Sequence, residues 1–284
     1  MRDAYDMIQY LEYLLHDSSA SMWNDVKKLE TLNAAYDQVV NRVIELHENW
    51  FYATATLTAG TAEFDATPFD FPSHPSTISK ILFITDTDGV PLEPTVLQMR
   101  DYSYPALADR NIQMGYWIAD DKIWVNADAY SGSLRLYYVR KPPRLQYGTA
   151  DSGTDTTITL DSDTRPSIVN DYYNNAVFVI REGTGAGEEA TATDYVGSTR
   201  VLTANFTSTP DTTSVYGSVS EIPDGHNELV VMGAAIRALM FDVAQQPKLD
   251  QFKMWYTKLE FDLMDFLQNR QTQQSRGVYM KNLD

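Results

Sequence analysis

The hydrophobic period changes twice along this chain. Apolar residues recur every three to four positions at both ends and alternate in the middle. A chain patterned this way folds as helices flanking sheet. Residues 3–15 carry Met7, Ile8, Leu11, Leu14 and Leu15 at helical spacing. A second helix is predicted from Ser21 or Asn24 to Glu48. Its stripe is Val26, Leu29, Leu32, Tyr36, Val39, Val40, Val43, Leu46 and Trp50, with Lys27, Lys28, Asp37 and Asn41 off it. A stripe of nearly seven turns implies packing against other helices.

From Phe51 the alternation FYATATLTA and TAEFDA predicts strands, with Ala59-Gly60 near the turn between them. ISKILFIT, GYWIAD, KIWVNA and SLRLYYV are further strands. Asp86-Thr87-Asp88-Gly89 has turn chemistry, and the pair Asp120-Asp121 predicts a hairpin. Residues 146–217 are rich in Thr, Ser, Gly and Asp, and short strands fall at TITL, AVFVI, EATATDYV, RVLTA and SVYGS. Helix returns after Ile222-Pro223-Asp224, with Asp224 as the cap, and Pro247 ends that helix. The last helix, about 249–268, carries apolar residues on more than one face, which suggests burial on two sides. The expected fold is α+β. N- and C-terminal helices (1–50 with 224–270) form one helical bundle, followed outward by a central antiparallel β region (51–145) and a small all-β module inserted at 146–217. A linker and the C-terminal helices occupy 218–270, and a polar tail occupies 271–284.

The charge is 22 minus 39, or −17, which disfavours nucleic-acid binding. Arg140, Lys141 and Arg144 form the densest basic cluster and read as a solvated loop. The absence of cysteine excludes disulfides and thiolate chemistry. No apolar run approaches the roughly 20 residues that span a bilayer, so no membrane partner is expected. The acidic N-terminus is unlike a cleaved signal.

Chemistry-bearing patterns are weak. His16, His47, His74 and His226 lack metal spacing and read as surface or packing residues. Gly183-Thr184-Gly185-Ala186-Gly187 is followed by Glu188 and Glu189, whose charges oppose a phosphate, so it reads as a turn. Asp86 and Asp88 lack the glycine and glutamate of a calcium loop. Asp161 and Asp163 are a carboxylate pair of the kind a glycosidase needs, in a chain with 39 acids. No cofactor and no enzymatic activity are expected.

The stretch Asn170-Asp171-Tyr172-Tyr173, then Gly183 to Gly187, then Asp194-Tyr195-Val196-Gly197, then Pro210-Asp211-Thr212-Thr213-Ser214-Val215-Tyr216 resembles a β module of phage structural proteins. One departure is Glu188 where Gln is usual, at a position expected to be exposed. The frame around it resembles the tailed-phage head-to-tail adaptor (connector, neck) family. The residues carrying this are Leu32-Asn33-Ala34-Ala35-Tyr36, Asp70-Phe71-Pro72, and Ile222-Pro223 before Glu228-Leu229-Val230. The resemblance implies a virion protein forming a homo-oligomeric ring, usually a dodecamer. Such a ring binds the portal protein above and a tail or nozzle protein below, and surrounds the DNA ejection channel. Its DNA passes without specific binding. It also implies a portal-docking tail, here Arg276, Val278, Tyr279, Met280 and Lys281, with a frayed terminus as the alternative. The aromatic helix offers Phe252, Trp255, Tyr256, Leu259 and Phe266 either to a subunit interface or to the chain's own core. A receptor- or glycan-binding virion module is the competing reading.

Overall fold

The computed structural model describes residues 1–16, 23–60, 67–71, 77–94, 115–120, 122–125, 132–240 and 246–279. It divides into two compact units: residues 1–50 with 142–284, and residues 51–141.

The first helix, α1 (Ala4–Leu15), is capped by Asp3, whose carboxylate accepts from the Asp6 N–H at 3.2 Å. Met7, Ile8, Leu11 and Leu14 form its buried face. Helix α2 (Asp25–Leu46) begins at Asn24, whose side chain accepts from the Lys27 N–H at 3.0 Å. Leu29, Leu32, Tyr36, Val39, Val40 and Val43 are buried as the stripe predicts. Lys28 departs from the prediction: off the apolar stripe, it is nonetheless fully buried, its ammonium paired with Glu12 of α1 and with Asp25 at 3.2 Å. Two carboxylates replace the water the amine loses.

Among its described residues the second unit is built of strands. Strands β1 (Tyr52–Leu57), β2 (Thr67–Asp70), β3 (Ile78–Thr85), β4 (Glu93–Pro94), β5 (Gly115–Ala119), β6 (Lys122–Val125) and β7 (Leu134–Arg140) make two sheets, ordered β1-β7-β3 and β2-β6-β5-β4. Leu57, Ile84, Leu134 and Leu136 of one sheet share a core with Phe69, Ile123 and Val125 of the other. β1 pairs along its length with β7, and the predicted strand TAEFDA, residues 61–66, lies outside the described residues. The β5–β6 hairpin pairs Ala119 with Lys122, and Asp120 takes a φ of 51°. At the other turn, Asp86 Oδ1 accepts from the N–H groups of Asp88 and Val90 at 2.9 and 2.8 Å.

The first unit resumes with β8 (Tyr147–Thr149), β9 (Ser152–Gly153), β10 (Thr157–Thr159), β11 (Val177–Glu182), β12 (Glu189–Thr191), β13 (Asp194–Val196), β14 (Val201–Thr203) and β15 (Val215–Ser218). They form two four-stranded sheets, β13-β14-β10-β9 and β12-β11-β15-β8, over one core. The predicted strand EATATDYV divides between them. Ala192 is buried at the crossing, where its N–H donates to Ala176 O. Tyr173 sits centrally, edge-on to Tyr195 at 4.7 Å and to Phe178 at 6.0 Å. Each buried hydroxyl has a partner: Gln146 Nε2 donates to Tyr173 Oη, Tyr195 Oη donates to Ser167 O, and the Asp161 N–H donates to Tyr216 Oη. A Cβ on Gly183 would lie 1.9 Å from Thr213 O, and its φ is +75°, so the 183–187 turn requires glycine there. Glu188 is half-buried rather than exposed, because its carboxylate accepts from the N–H groups of Thr207 and Ser208 and from the Ser208 hydroxyl.

Helix α3 (Asn227–Leu239) is buried around nearly its whole circumference and packs against α1, α2 and the last helix, α4 (Gln246–Tyr279). Its N-cap is His226 rather than Asp224, and Pro247 stands in the first turn of α4, where its missing N–H costs nothing.

The expectation of a helical bundle carrying a small β module is incorrect. The protein is mixed α+β and mostly β, with four helices and four mostly antiparallel sheets among the described residues. The reason lies in what the helices pack on. α1 lies against β15, and a Cβ on Gly217 would sit 2.8 Å from Tyr5 N. Asn33 of α2 exchanges two hydrogen bonds with the Leu145 backbone, at 3.0 and 2.8 Å. Asp3, with no exposed surface, pairs with Arg181 of β11, and its backbone bridges Val219. Sheet thus supplies one wall of the helical core.

Two outcomes follow from this packing. Asp3→Ala is expected to lower the unfolding free energy by about 2–3 kcal/mol in urea titrations, because it removes a cap and strands Arg181; Asp6→Ala, at a partly exposed site, is expected to cost under about 1 kcal/mol. Burial, the largest cause, raises Tyr195 to about 12 and pushes Tyr173 and Tyr216 up as well. Unfolded tyrosines ionise near about 10, so above that pH the folded chain holds more protons. Stability is therefore complete below about 10 and declines as pH rises toward about 12 and beyond. Tyrosinate absorbance is expected to lag behind free tyrosine and to finish only with the loss of circular dichroism.

Candidate assembly surface

Helix α4 presents two apolar faces of different fate. Leu249, Phe252, Leu263 and Leu267 are buried against the rest of the unit. Met254, Trp255 and Phe261 point away from that core and are 76%, 52% and 61% exposed. At 34 residues, the helix has a length of about 50 Å at 1.5 Å per residue. An exposed apolar stretch on a helix whose other side is already satisfied is chemistry for a partner surface.

The five residues predicted for a subunit interface separate accordingly. Phe252 belongs to the chain's own core. Tyr256 packs over Gly233 of α3, where a Cβ would come within 3.3 Å of its ring. Phe266 meets Trp50 edge-on at 6.0 Å and His226 at 5.1 Å. The Arg270 guanidinium lies 5.1 Å over both the Trp50 and Phe266 rings, and Trp50 Nε1 donates to Glu221 O. Leu259 is half-buried, and Trp255 is exposed. Of the docking-tail residues, Arg276, Val278 and Tyr279 continue the helical backbone of α4, which extends well past the predicted end near 268. Met280 and Lys281 lie outside the described residues.

Two grooves open on the first unit. One of about 420 Å³ runs between α2, α3 and α4, with Gly233, Ile236, Met240 and Tyr256 beside Arg237 and Lys253. The other, about 580 Å³, lies between α2 and the β8–β15 sheets, lined by Gln146, Tyr172 and Tyr173 with two arginines at its edge. Arg144 pairs with Asp37 at 2.8 Å, and Arg165, at a φ of +52°, pairs with Glu30 at 2.9 Å.

The remaining sequence candidates occupy structural positions. Asp161 Oδ1 accepts from the Asp163 N–H at 2.8 Å, a turn geometry. His47 is buried with neither ring nitrogen hydrogen-bonded, and burial lowers the His226 pKa. His74 lies outside the described residues. Among the described residues no three His, Asp or Glu side chains converge as a metal site, and no helix is long and apolar enough to cross a membrane.

Sequence reading singles out Trp255 but not Met254, Phe261, Met240 or Arg237. Arg237 did leave a signal: it interrupts an otherwise apolar run from Leu229 to Met240.

No protein-family model matches the chain, and no curated protein matches it. The likeness to adaptors therefore rests on its short motifs.

The two faces of α4 are separable by mutation. Phe266→Ala is expected to cost roughly 2 kcal/mol, since it empties the contact among Trp50, His226 and Arg270. Met254→Ser and Phe261→Ser are expected to change stability by less than about 0.5 kcal/mol. Thermal melts of the three variants check the division.

Proposed function

We propose that this chain is a structural virion protein of a tailed phage, a head-to-tail adaptor. Copies of it form a ring that joins the portal to the tail or nozzle protein and surrounds the DNA channel. The observation that carries this reading is the outward apolar face of α4, Met254, Trp255 and Phe261, on a helix whose inner face is already packed. The motif resemblance in 170–216 and around Ile222-Pro223 supports it. So does the charge of −17, because a ring that DNA must slide through is best served by few phosphate contacts.

A second reading, a receptor- or glycan-binding virion module, is favoured by the groove of about 580 Å³ with its tyrosine and arginine lining. Because the β8–β15 sheets share their packing with α1 and α2, the intact chain is the right reagent for a glycan array.

Mixing the purified chain with portal rings tests the adaptor reading. A stoichiometric, symmetric layer below the portal is expected by cryo-electron microscopy, with a matching mass increment. A chain truncated after residue 271 is expected to retain its fold and lose portal binding. Portal rings that remain bare at saturating chain, or a glycan hit with no portal binding, would remove the adaptor reading.

A further inference from the structure

The groove between α2, α3 and α4 carries two cations, Arg237 and Lys253, with little answering charge among the described residues. Arg237 is half-buried beside Ile236, Met240 and Tyr256, yet makes no hydrogen bond or ion pair among the described residues. Lys253, at the same groove, reaches only Asp250 of its own helix, at 3.8 Å. An arginine whose stem lies along an apolar groove keeps its guanidinium open to an incoming carboxylate. Beside the two cations the lining is apolar, and Gly233 lets α2 and the Tyr256 ring close in: a Cβ there would press on Ala35 at 3.2 Å and on Tyr256 at 3.3 Å. The groove thus matches an apolar side chain carried next to carboxylates.

The same chain displays such a group. Phe261 stands exposed on the outward side of α4, with Asp262 beside it and Asp265 one turn on, both exposed and neither in an ion pair among the described residues. Groove and projection are both built on α4, the first through Lys253, Tyr256 and Thr257 and the second through residues 261–265. A continuous helix cannot fold back so that Phe261 fills the groove four residues away on its own length. A second copy can supply it.

We propose that Phe261 of one copy seats in the groove of the next, with Asp262 and Asp265 meeting Arg237 and Lys253. The contact joins two different patches, so it is head-to-tail, and a pair so joined keeps one free groove at one end and one free projection at the other. Such contacts propagate, and close as a ring where the rotation per copy divides a full turn. The inference rests on the ring reading above and names the surface that would build the ring.

Cysteine cross-linking tests it cleanly, because the chain has no cysteine of its own. Met240→Cys, 58% accessible at the groove, and Lys258→Cys, exposed about one turn before Phe261, leave the Phe261 anchor in place, so the fold and the contact are expected to survive both; melting curves check the fold. Under copper–phenanthroline and dissolved oxygen, pairs of thiols that meet are oxidised to disulfides. The double variant is expected to give a ladder of dimers, trimers and higher species on a non-reducing gel. An equal mixture of the two single variants is expected to stop at the dimer. Adding Arg237→Glu is expected to slow cross-linking about tenfold, and Asp262→Arg with Asp265→Arg is expected to restore it. No ladder from the folded double variant overturns the proposal. So does Lys258→Cys alone dimerising as fast as the mixture, which would mean a two-fold contact. Portal binding is not read in this assay. A ladder without portal capture removes the adaptor reading and keeps the contact, and a portal-bound layer without a ladder does the reverse.

Discussion

The buried carboxylate of Asp3 is the joint on which the first unit depends. It ends the N-terminal strand-like segment, caps α1, and meets the guanidinium of Arg181 from β11, some 178 positions along the chain. Arg181 also reaches Asp6 at 3.1 Å, so one cation holds the first turn of α1 on the sheet. Near it, Arg2 makes two hydrogen bonds to Glu189 of β12, and Tyr5 donates to Glu182. A charge with no exposure is tolerable only where such partners are fixed in place. The placement of α1 on the sheet in turn determines what α3 packs against, and α3 leaves α4 only one side to cover.

That arrangement explains the double character of α4. Helix α3 is apolar all round because α1, α2 and α4 surround it. α4 closes the last open side with Leu249, Phe252, Leu263 and Leu267, and Gly233 lets the Tyr256 ring approach. Its other side has no neighbour among the described residues, yet it is not polar. Met254 and Phe261 recur at seven-residue spacing among Lys258, Asp262 and Asp265. An apolar stripe interleaved with charges of both signs favours a partner of defined register over unspecific aggregation.

Much of the local structure was legible in the sequence. Both N-terminal helices follow from three-four spacing, and Asn24, one of two starts that the sequence offers for the second, is its cap. The β5–β6 hairpin follows from Asp120-Asp121, and the turn at Asp86 from its own chemistry. The boundaries that moved did so for local reasons: His226 rather than Asp224 begins α3, and Pro247 opens α4 instead of closing α3. The burial of Lys28 was not legible, because helical periodicity sees a cation and cannot see Glu12 arriving from another helix. Nor was the role of Glu188 legible, since its hydrogen bonds go to Thr207 and Ser208, 19 and 20 residues away. Of the aromatic residues in α4, spacing alone did not separate Phe266, which meets Trp50, from Phe261, which stands exposed.

By itself the sequence determined the periods and the turns, because these depend on backbone geometry and on neighbours within four residues. It also determined the acidity and the absence of thiols. Only the tertiary structure decided that the β8–β15 sheets and the helices are one packed unit while residues 51–141 form another. The bonds that make this so, Asp3 to Arg181, Asn33 to Leu145 and Arg2 to Glu189, join residues more than 100 positions apart. Pairings at that separation leave no periodic trace in a single chain; they arise from which faces remain unburied after each element has formed.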